Sequence, residues 1–375
     1  MSLYVMIDVR AAVVAEESGR FHIEELSLDE PRSDEVLVRI VATGVCPADI
    51  AVREQHFQMA LPAVLGHEGA GVVEAVGENV TTVEPGDHVV VSFDHDGTCR
   101  NCTEGAVAYC SRFSAYNFDG VRGTDQSSPL HRDGKEVSLF FGQSSFATHS
   151  IASERQVVTV PDTVPLEILG PLGCGIQTGS GAVINSLDPD PGTSIAVFGV
   201  GAVGLSAVLG AVIKGCTTII AVDLLAERLE TAADLGATHV LNADEETSLA
   251  ETIRALTDGG VDYSLDTTSI PRVVRQAVDA TRIPGTCGLL GGAPPEPEPS
   301  LDMNSVLRGR TVRGISQGDS IPSVFIPRLI ELYEQGRFPF DELLSFYELA
   351  DINRAVDDLA DGRAIKPVLR ISDSP

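Results

Sequence analysis

At 375 residues the chain is too long for one ordinary hydrophobic core, so two domains are expected. Its 43% hydrophobic and 21% charged residues are those of a soluble globular protein. A formal net charge of −28, with Lys135, Lys214 and Lys366 the only lysines, excludes the basic face that nucleic-acid binding requires. Such a surface suits either a salty cytoplasm or a GC-rich genome that exchanges lysine for arginine.

The opening MSLYVMIDVR lacks the charged-then-apolar pattern of a secretory leader, and the expected location is the cytoplasm. From there to about residue 165 the chain reads as short strands broken by turns. EVLVRIVATGV and GAGVVEAVG run apolar or alternate, and EPGDHVVVS is a turn followed by a strand. Gly66, Gly69, Gly71, Gly77 and Gly86 punctuate these segments as barrel corners would. Residues 113–142 carry few periodic signals and are expected to cross the surface as a long polar excursion.

From residue 166 the texture changes. SIAVFGV, TIIAVD, VDYSLDTT and GTCGLLGG alternate with helix-like segments such as LAERLETAADLGA, which predicts βαβ units and a parallel sheet. AVFGVGAVG places Gly199, Gly201 and Gly204 in G-x-G-x-x-G spacing, between an apolar run and a helix opening at Ala202 and Val203. That context suits a dinucleotide: the glycines allow a tight turn and close approach of pyrophosphate, and the helix N-terminus faces the phosphates. TIIAVD ends in Asp223, about 20 residues beyond the glycines, where an acid accepts from ribose hydroxyls and repels a 2′-phosphate, favouring NAD over NADP. SIAVFGVGAVGLSAVLGAVIKG approaches the ~20 apolar residues of a membrane span. Its glycines, however, stand where a strand must turn into a helix, so no span is expected. After TVRGISQGD come two helical segments and a final strand, KPVLRIS, expected to return to the first domain. The predicted division is 1–165 with 312–375 against 166–311.

Seven cysteines are an odd count for a disulfide framework and fit metal ligands in a reducing compartment better. Cys99, Cys102 and Cys110 stand at metal-site spacing in DHDGTCRNCTEGAVAYC, with Asp96 three residues before the first. GVCPADI supplies Cys46, LGHEGAG supplies His67 and Glu68, and GPLGCGIQTG supplies Cys174. Soft thiolates with an imidazole make a zinc set, and three protein ligands with an open position define a catalytic one. Taken singly each has a bland reading as a buried residue; in this order around a dinucleotide fold they are specific. Cys216 and Cys287 lie in apparent strands and are expected to be merely buried.

On GVC with Asp49, GHEGAGVVEAVG, GDHVVV, the cysteine cluster, GCGIQTG, GVGAVG with Asp223, and VDYSLDTT, the chain resembles the zinc-dependent medium-chain alcohol dehydrogenases over nearly its whole length. Its ending, GDSIPSVFIPRLIELYEQGRFPFDELLSFY, looks most like the aryl-alcohol (benzyl alcohol) branch. The resemblance implies an α/β protein in which a GroES-like, β-rich catalytic domain receives a doubly wound Rossmann domain, with a cleft between them. It implies that Cys46, His67 and Cys174 hold a catalytic zinc, that Glu68 is an occasional ligand, and that Asp49 orients His67. It also implies a structural zinc on four ligands, Asp96 standing where the family has the first of four cysteines; aspartate oxygen is an acceptable zinc ligand. NAD would meet Gly199, Gly201, Ala202, Val203, Gly204, Asp223, Arg228 and Thr178. Phe93, Phe118 and Phe141 would wall the substrate pocket, with Pro294 near the nicotinamide.

The implied reaction is reversible oxidation of primary aromatic or allylic alcohols to aldehydes, with hydride transfer to NAD, in a homodimer paired near TVRGIS. The chain departs from the family at Ala48, where a serine or threonine usually passes the alcohol proton outward, and at Pro47, which lacks a basic side chain. General acid–base help is worth roughly 10²–10⁴-fold. Two alternatives follow. One is a thiol-adduct formaldehyde dehydrogenase of the same family, although residues 44–68 offer only Arg53 to seat an anionic thiol. The other is an NAD- and zinc-binding protein impaired at Ala48; in an active enzyme, water, the ribose hydroxyl or His56 would have to substitute for the relay.

Overall fold

The computed structural model describes residues 6–292 and 298–372. The chain divides into two compact units: Met1–Cys174 with Ile321–Glu334 and Asp341–Pro375, and Gly175–Ser320 with Gln335–Phe340. The boundaries read from sequence, 165/166 and 311/312, fall short of both junctions.

The first unit is built on β-structure. Strands Ile7–Val14, His22–Leu28, Leu130–Arg132, Lys135–Leu139 and Ala63–Val64 close into a barrel. A second sheet runs Val157–Thr159, His88–Val91, Gly69–Val76, Glu35–Gly44, Lys366–Arg370 and Leu344–Glu348, with His149–Ser153 also paired to Glu35–Gly44. Glu35–Gly44 lies at the centre, paired with Gly69–Val76 and with the C-terminal strand, so nearly all its residues are buried rather than alternating in and out. Pairing of Val368 with Gly44 carries Lys366 to the end of this strand, beside Val45.

Residues 113–142 are not a surface excursion. They form the helix Phe113–Asn117 and a hairpin of strands Leu130–Arg132 and Lys135–Leu139, two of the strands that close the barrel. The strands are too short, at 3 and 5 residues, to show a period in sequence. Arg122 anchors the segment. Only 5% exposed, it donates to Glu35 at 2.7 and 3.1 Å and to Asp29 at 3.0 Å, so the buried charge is paired.

The second unit is an all-parallel sheet in the order His239–Asn242, Thr218–Asp223, Ser194–Phe198, Val261–Asp266, Thr281–Leu289, Thr311–Gly314. In chain order that is 3-2-1-4-5-6, the doubly wound arrangement whose ligand crevice opens at the carboxyl ends of the first and fourth strands. Cys216 and Cys287 are both buried here. The apolar run after Ser194 is split into a strand and the helix Ala202–Lys214, which ends at Gly215 in the left-handed conformation. Among the described residues no helix is long and apolar enough to cross a membrane.

Candidate active site and metal centres

Pro47 at the first helical position fixes the start of helix Pro47–Arg53, and Cys46 is its N-cap. The turn is locked by Asp49, whose Oδ2 accepts the Cys46 N–H at 2.9 Å. Its other oxygen accepts the Gly66 N–H and faces His67 Nδ1, both at 3.0 Å. One fully buried carboxylate therefore sets both a thiol and an imidazole.

With Nδ1–H donated to Asp49, the free lone pair of His67 is on Nε2, which is buried and has no hydrogen-bond partner among the described residues. Donor atoms of Cys46, His67, Glu68 and Cys174 all lie within 4.8 Å of one another. The mutual hydrogen bond of the two thiols holds Cys46 well below the usual thiol range and, with burial, pushes Cys174 well above it. Burial opposes charging of His67, but the charge and hydrogen bond of Asp49, with Cys46 beside it, outweigh this and raise its pKa. Two thiols, an orphaned imidazole nitrogen and a buried carboxylate fit zinc. Glu68 and Lys366, 0% and 1% exposed, pair at 2.9 and 3.0 Å, and this lysine was not foreseen from sequence.

Aromatic rings surround the histidine. Its ring stacks on Phe141 at 4.6 Å between centroids and meets Phe140 edge-on at 5.2 Å. Phe118 lies 5.0 Å from Phe141 and 5.6 Å from Phe57, while Phe113 bridges Phe93 at 5.8 Å and Phe141 at 6.2 Å. The expected wall residues Phe93, Phe118 and Phe141 thus come together, joined by Phe57, Phe113 and Phe140. Their signal in sequence was only the FF pair at 140–141. Phe141 holds φ +50, a conformation a bulky residue adopts rarely. Its N–H bonds Asn117 at 2.9 Å and its carbonyl accepts from Gln156 at 2.7 Å, which fixes the turn. Gln143, also unforeseen, donates to the carbonyls of His67 and Ser92, both at 3.1 Å. Pro294 lies outside the described residues. Ala48 is half-buried, and Pro47 and His56 are exposed.

The second donor set is Asp96, Cys99, Cys102 and Cys110, again with all donor atoms within 4.8 Å. Asp96 Oδ1 accepts the N–H groups of Thr98 and Cys99 at 2.8 Å each, leaving Oδ2 for a metal. The Cys99 N–H is the main reason its carboxyl titrates at about 2. The N–H groups of Asp96 and Arg112 point at the Cys110 sulfur from 3.4 Å, and that of Ser111 at Cys99 from 3.5 Å. The Ser111 N–H lowers Cys99 to about 7, whereas burial pushes Cys102 up to about 12. A loop that aims amides at sulfur and folds an aspartate around its own backbone is suited to holding anionic ligands on a metal.

In the parallel-sheet unit, Gly199 turns at φ +85, and a Cβ on Gly204 would strike the Gly199 carbonyl oxygen at 2.0 Å. The strand, turn and helix are therefore in the close contact that the glycine pattern predicts, with Ala202 and Val203 in the first turn after the N-cap Gly201. Asp223 ends the second strand; its carboxylate accepts the N–H groups of Val200 and Leu224 at 2.8 Å and of Leu225 at 3.1 Å. Arg228 lies 3.9 Å from that carboxylate, and its Nε has no partner among the described residues. Thr178 lies in helix Gly175–Gly181 and donates to Gln317 at 3.2 Å; that helix packs against the start of helix Ala202–Lys214, where a Cβ on Gly179 would stand 1.9 Å from the Val203 carbonyl oxygen.

A doubly wound sheet with this glycine turn, together with two thiolate-rich donor sets, defines a dinucleotide-dependent metalloenzyme. The chain belongs to the zinc-binding alcohol dehydrogenases. Residues 32–162 match the alcohol dehydrogenase GroES-like domain and 202–335 the zinc-binding dehydrogenase domain. It is 46% identical to the geraniol dehydrogenase of Castellaniella defragrans, covering 97% of this chain and 98% of that protein. The benzyl alcohol dehydrogenase of Acinetobacter calcoaceticus is 44% identical with TM-score 0.95, covering 98% of this chain and all of that one (100%). An alcohol dehydrogenase zinc-binding domain protein from Burkholderia ambifaria is 50% identical with TM-score 0.96 over 98% and 100% of the two chains. Zinc and NAD are accordingly its cofactors.

Proposed function

We propose that this enzyme oxidises primary allylic and aromatic alcohols to aldehydes, reversibly, and that its reaction centre is Cys46, His67 and Cys174. The observation that carries the reading is the His67 ring: its Nε2, without a hydrogen-bond partner among the described residues, is grouped with two thiols, and the ring packs against Phe140 and Phe141. Such a wall favours flat, apolar, unsaturated alcohols over short polar ones.

Bound zinc would supply Lewis acidity that makes the alcohol hydroxyl more acidic, and NAD would accept the hydride. The chain's residues do the rest. Asp49 keeps the His67 proton on Nδ1, so Nε2 stays available. Cys46 and Cys174 hold the metal as thiolates, and the phenylalanines exclude water from the apolar part of the substrate. The helix starting at Ala202 offers its N-terminus to the pyrophosphate, while Asp223, with Arg228 beside it, receives the adenosine ribose. Asp96, Cys99, Cys102 and Cys110 hold a second, structural zinc.

The thiol-adduct alternative finds little support, since Arg53 is already committed to Glu54 at 2.6 and 2.9 Å. A homodimer is supported by the edge strand Thr311–Gly314, which pairs only with Thr281–Leu289 among the described residues, beside Met303 and Leu307, exposed at 72 and 74%. Seven free cysteines suit a reducing cytoplasm.

NADH formation from geraniol, benzyl alcohol and ethanol by zinc-loaded protein tests the reading. Turnover of the first two well above ethanol supports it. A folded, zinc-loaded protein that prefers ethanol, or turns over none, overturns the substrate class.

A further inference from the structure

Phe140 and Phe141 stand on a turn that an ordinary backbone would not make. Phe141 has φ +50 and Gly142 φ +60, so two consecutive residues take the left-handed conformation, the first of them bulky. A phenylalanine persists there only where its surroundings over-determine it. Gln156, which ends the short helix Glu154–Gln156, supplies much of that constraint. It is wholly buried. Its Nε2 donates to the Phe141 carbonyl at 2.7 Å and to the Ser92 carbonyl at 3.1 Å, while its Oε1 accepts the Ser153 N–H at 3.0 Å. A Cβ on Gly142 would stand 2.9 Å from Oε1 and 3.0 Å from Nε2, so the amide lies directly against the turn.

A second buried glutamine shares one anchor with the first and then diverges from it. Gln143 Nε2 donates to the same Ser92 carbonyl at 3.1 Å, but also to the His67 carbonyl at 3.1 Å, and its Oε1 accepts the Gly69 N–H at 3.2 Å. Ser92 is secured further, its N–H donating to the Gln156 carbonyl at 2.9 Å and its hydroxyl to the Gly173 carbonyl at 2.6 Å. Ser92 would therefore keep its place without the Gln156 side chain. The Phe141 carbonyl has no other donor among the described residues. Gln143 acts on the backbone of a metal donor, whereas no hydrogen-bond partner of Gln156 is a metal donor.

We infer that Gln156 is a positioning residue that sets the preference for flat, unsaturated alcohols by holding the Phe141 ring on His67, while leaving the metal donors undisturbed. The inference rests on reading Phe93, Phe118 and Phe141 as the substrate wall. A buried carbonyl deprived of its only donor is costly. The turn relieves that cost, and the strain at Phe141, by moving back toward an ordinary conformation, which carries the ring off the imidazole. A well-placed aromatic contact is worth about 3–10-fold in affinity. Its loss falls on alcohols with a flat apolar body and spares ethanol, which has none to stack.

The test uses zinc-loaded Gln156→Met, Phe141→Leu and the double variant Phe141→Leu/Gln156→Met. Zinc is counted in each, and kcat and KM are measured for benzyl alcohol and ethanol at saturating NAD. Gln156→Met should keep its zinc, raise KM for benzyl alcohol about 3–10-fold and leave KM for ethanol within about twofold of wild type. Phe141→Leu should lower the benzyl alcohol to ethanol ratio of kcat/KM by a similar factor. The double variant should lower it no further, because both changes act through one ring. Should Gln156→Met fail to fold, Gln156→Asn carries the test: it keeps a buried amide but draws it back by one methylene from the Phe141 carbonyl, and the same fall in ratio is expected. An unchanged ratio in whichever of the two folds, loss of its zinc, an equal loss for both alcohols, or a double variant whose losses multiply overturns the inference. Wild-type protein that prefers ethanol, or Phe141→Leu with the wild-type ratio, overturns the wall reading as well, which separates the two failures.

Discussion

Asp49→Asn is the sharpest perturbation of the proposed centre, because it alters charge and one donor while leaving shape almost unchanged. The wild-type carboxylate is fully buried and has three partners: Cys46 N at 2.9 Å, and Gly66 N and His67 Nδ1 at 3.0 Å. All three are donors, so an amide can satisfy only one side. If its NH₂ replaces Oδ2, it meets the Cys46 N–H donor to donor at the helix start. If it replaces Oδ1, it meets two donors and favours the imidazole tautomer with the proton on Nε2, where the metal needs a lone pair. A hydrogen bond to a charged group is worth about 1.5–3 kcal/mol. A loss of about 10–100-fold in zinc affinity, typical when a ligand's partner is removed, corresponds to about 1.4–2.7 kcal/mol. The two estimates agree in size, so the whole effect is expected from one lost charge-assisted bond. Competition against a chromophoric chelator would show zinc held about 10–100-fold more weakly, with kcat partly recovered at saturating zinc. Zinc affinity within about twofold of wild type, in a variant with an unchanged circular-dichroism spectrum, would refute the role assigned to Asp49.

Asp96→Ala should lower zinc content by about one per chain while leaving the catalytic metal in place; unchanged content by elemental analysis would show that the three cysteines suffice or that the lobe holds no metal. Ala48→Thr should change kcat for benzyl alcohol by far less than the roughly 10²–10⁴-fold of a true acid–base group, because half-buried Ala48 beside exposed Pro47 leaves room for water. A rise of that size on installing the hydroxyl would instead identify Ala48 as a lesion. Asp223→Asn removes the charge that repels a 2′-phosphate but keeps an acceptor. It should cost NAD roughly 10–100-fold in kcat/KM and raise NADP use, and an unchanged NAD/NADP ratio in steady-state assays would dismiss Asp223 as the discriminator.

Legibility of the fold followed the length of its signals. The Ser194–Phe198 strand, its glycine turn and the helix Ala202–Lys214 could be read because each step is local: an apolar run, glycines at fixed offsets, then a helix-compatible run. The barrel hairpin at 130–139 could not. Strands of 3 and 5 residues carry too few positions for a period, and what fixes them is register with His22–Leu28 and Ala63–Val64, far away in sequence. The anchor Arg122 gave no signal either, since a lone arginine in a polar stretch ordinarily reads as solvated.

The same contrast runs through the site, and there it separates what binds from what tunes. Metal donors are legible because their chemistry is rare: cysteine, histidine and a carboxylate close in sequence, as in GHE, restrict the possibilities even before folding. Groups that set those donors are common residue types, and only topology gives them a task. Asp49 was recoverable because it acts within one helical turn of Cys46. Lys366 was not, because it reaches Glu68 only through antiparallel pairing of the last strand with Glu35–Gly44. The same holds for Gln143 on the His67 carbonyl and for Phe140 and Phe141, brought against the imidazole by a turn with φ +50 at Phe141.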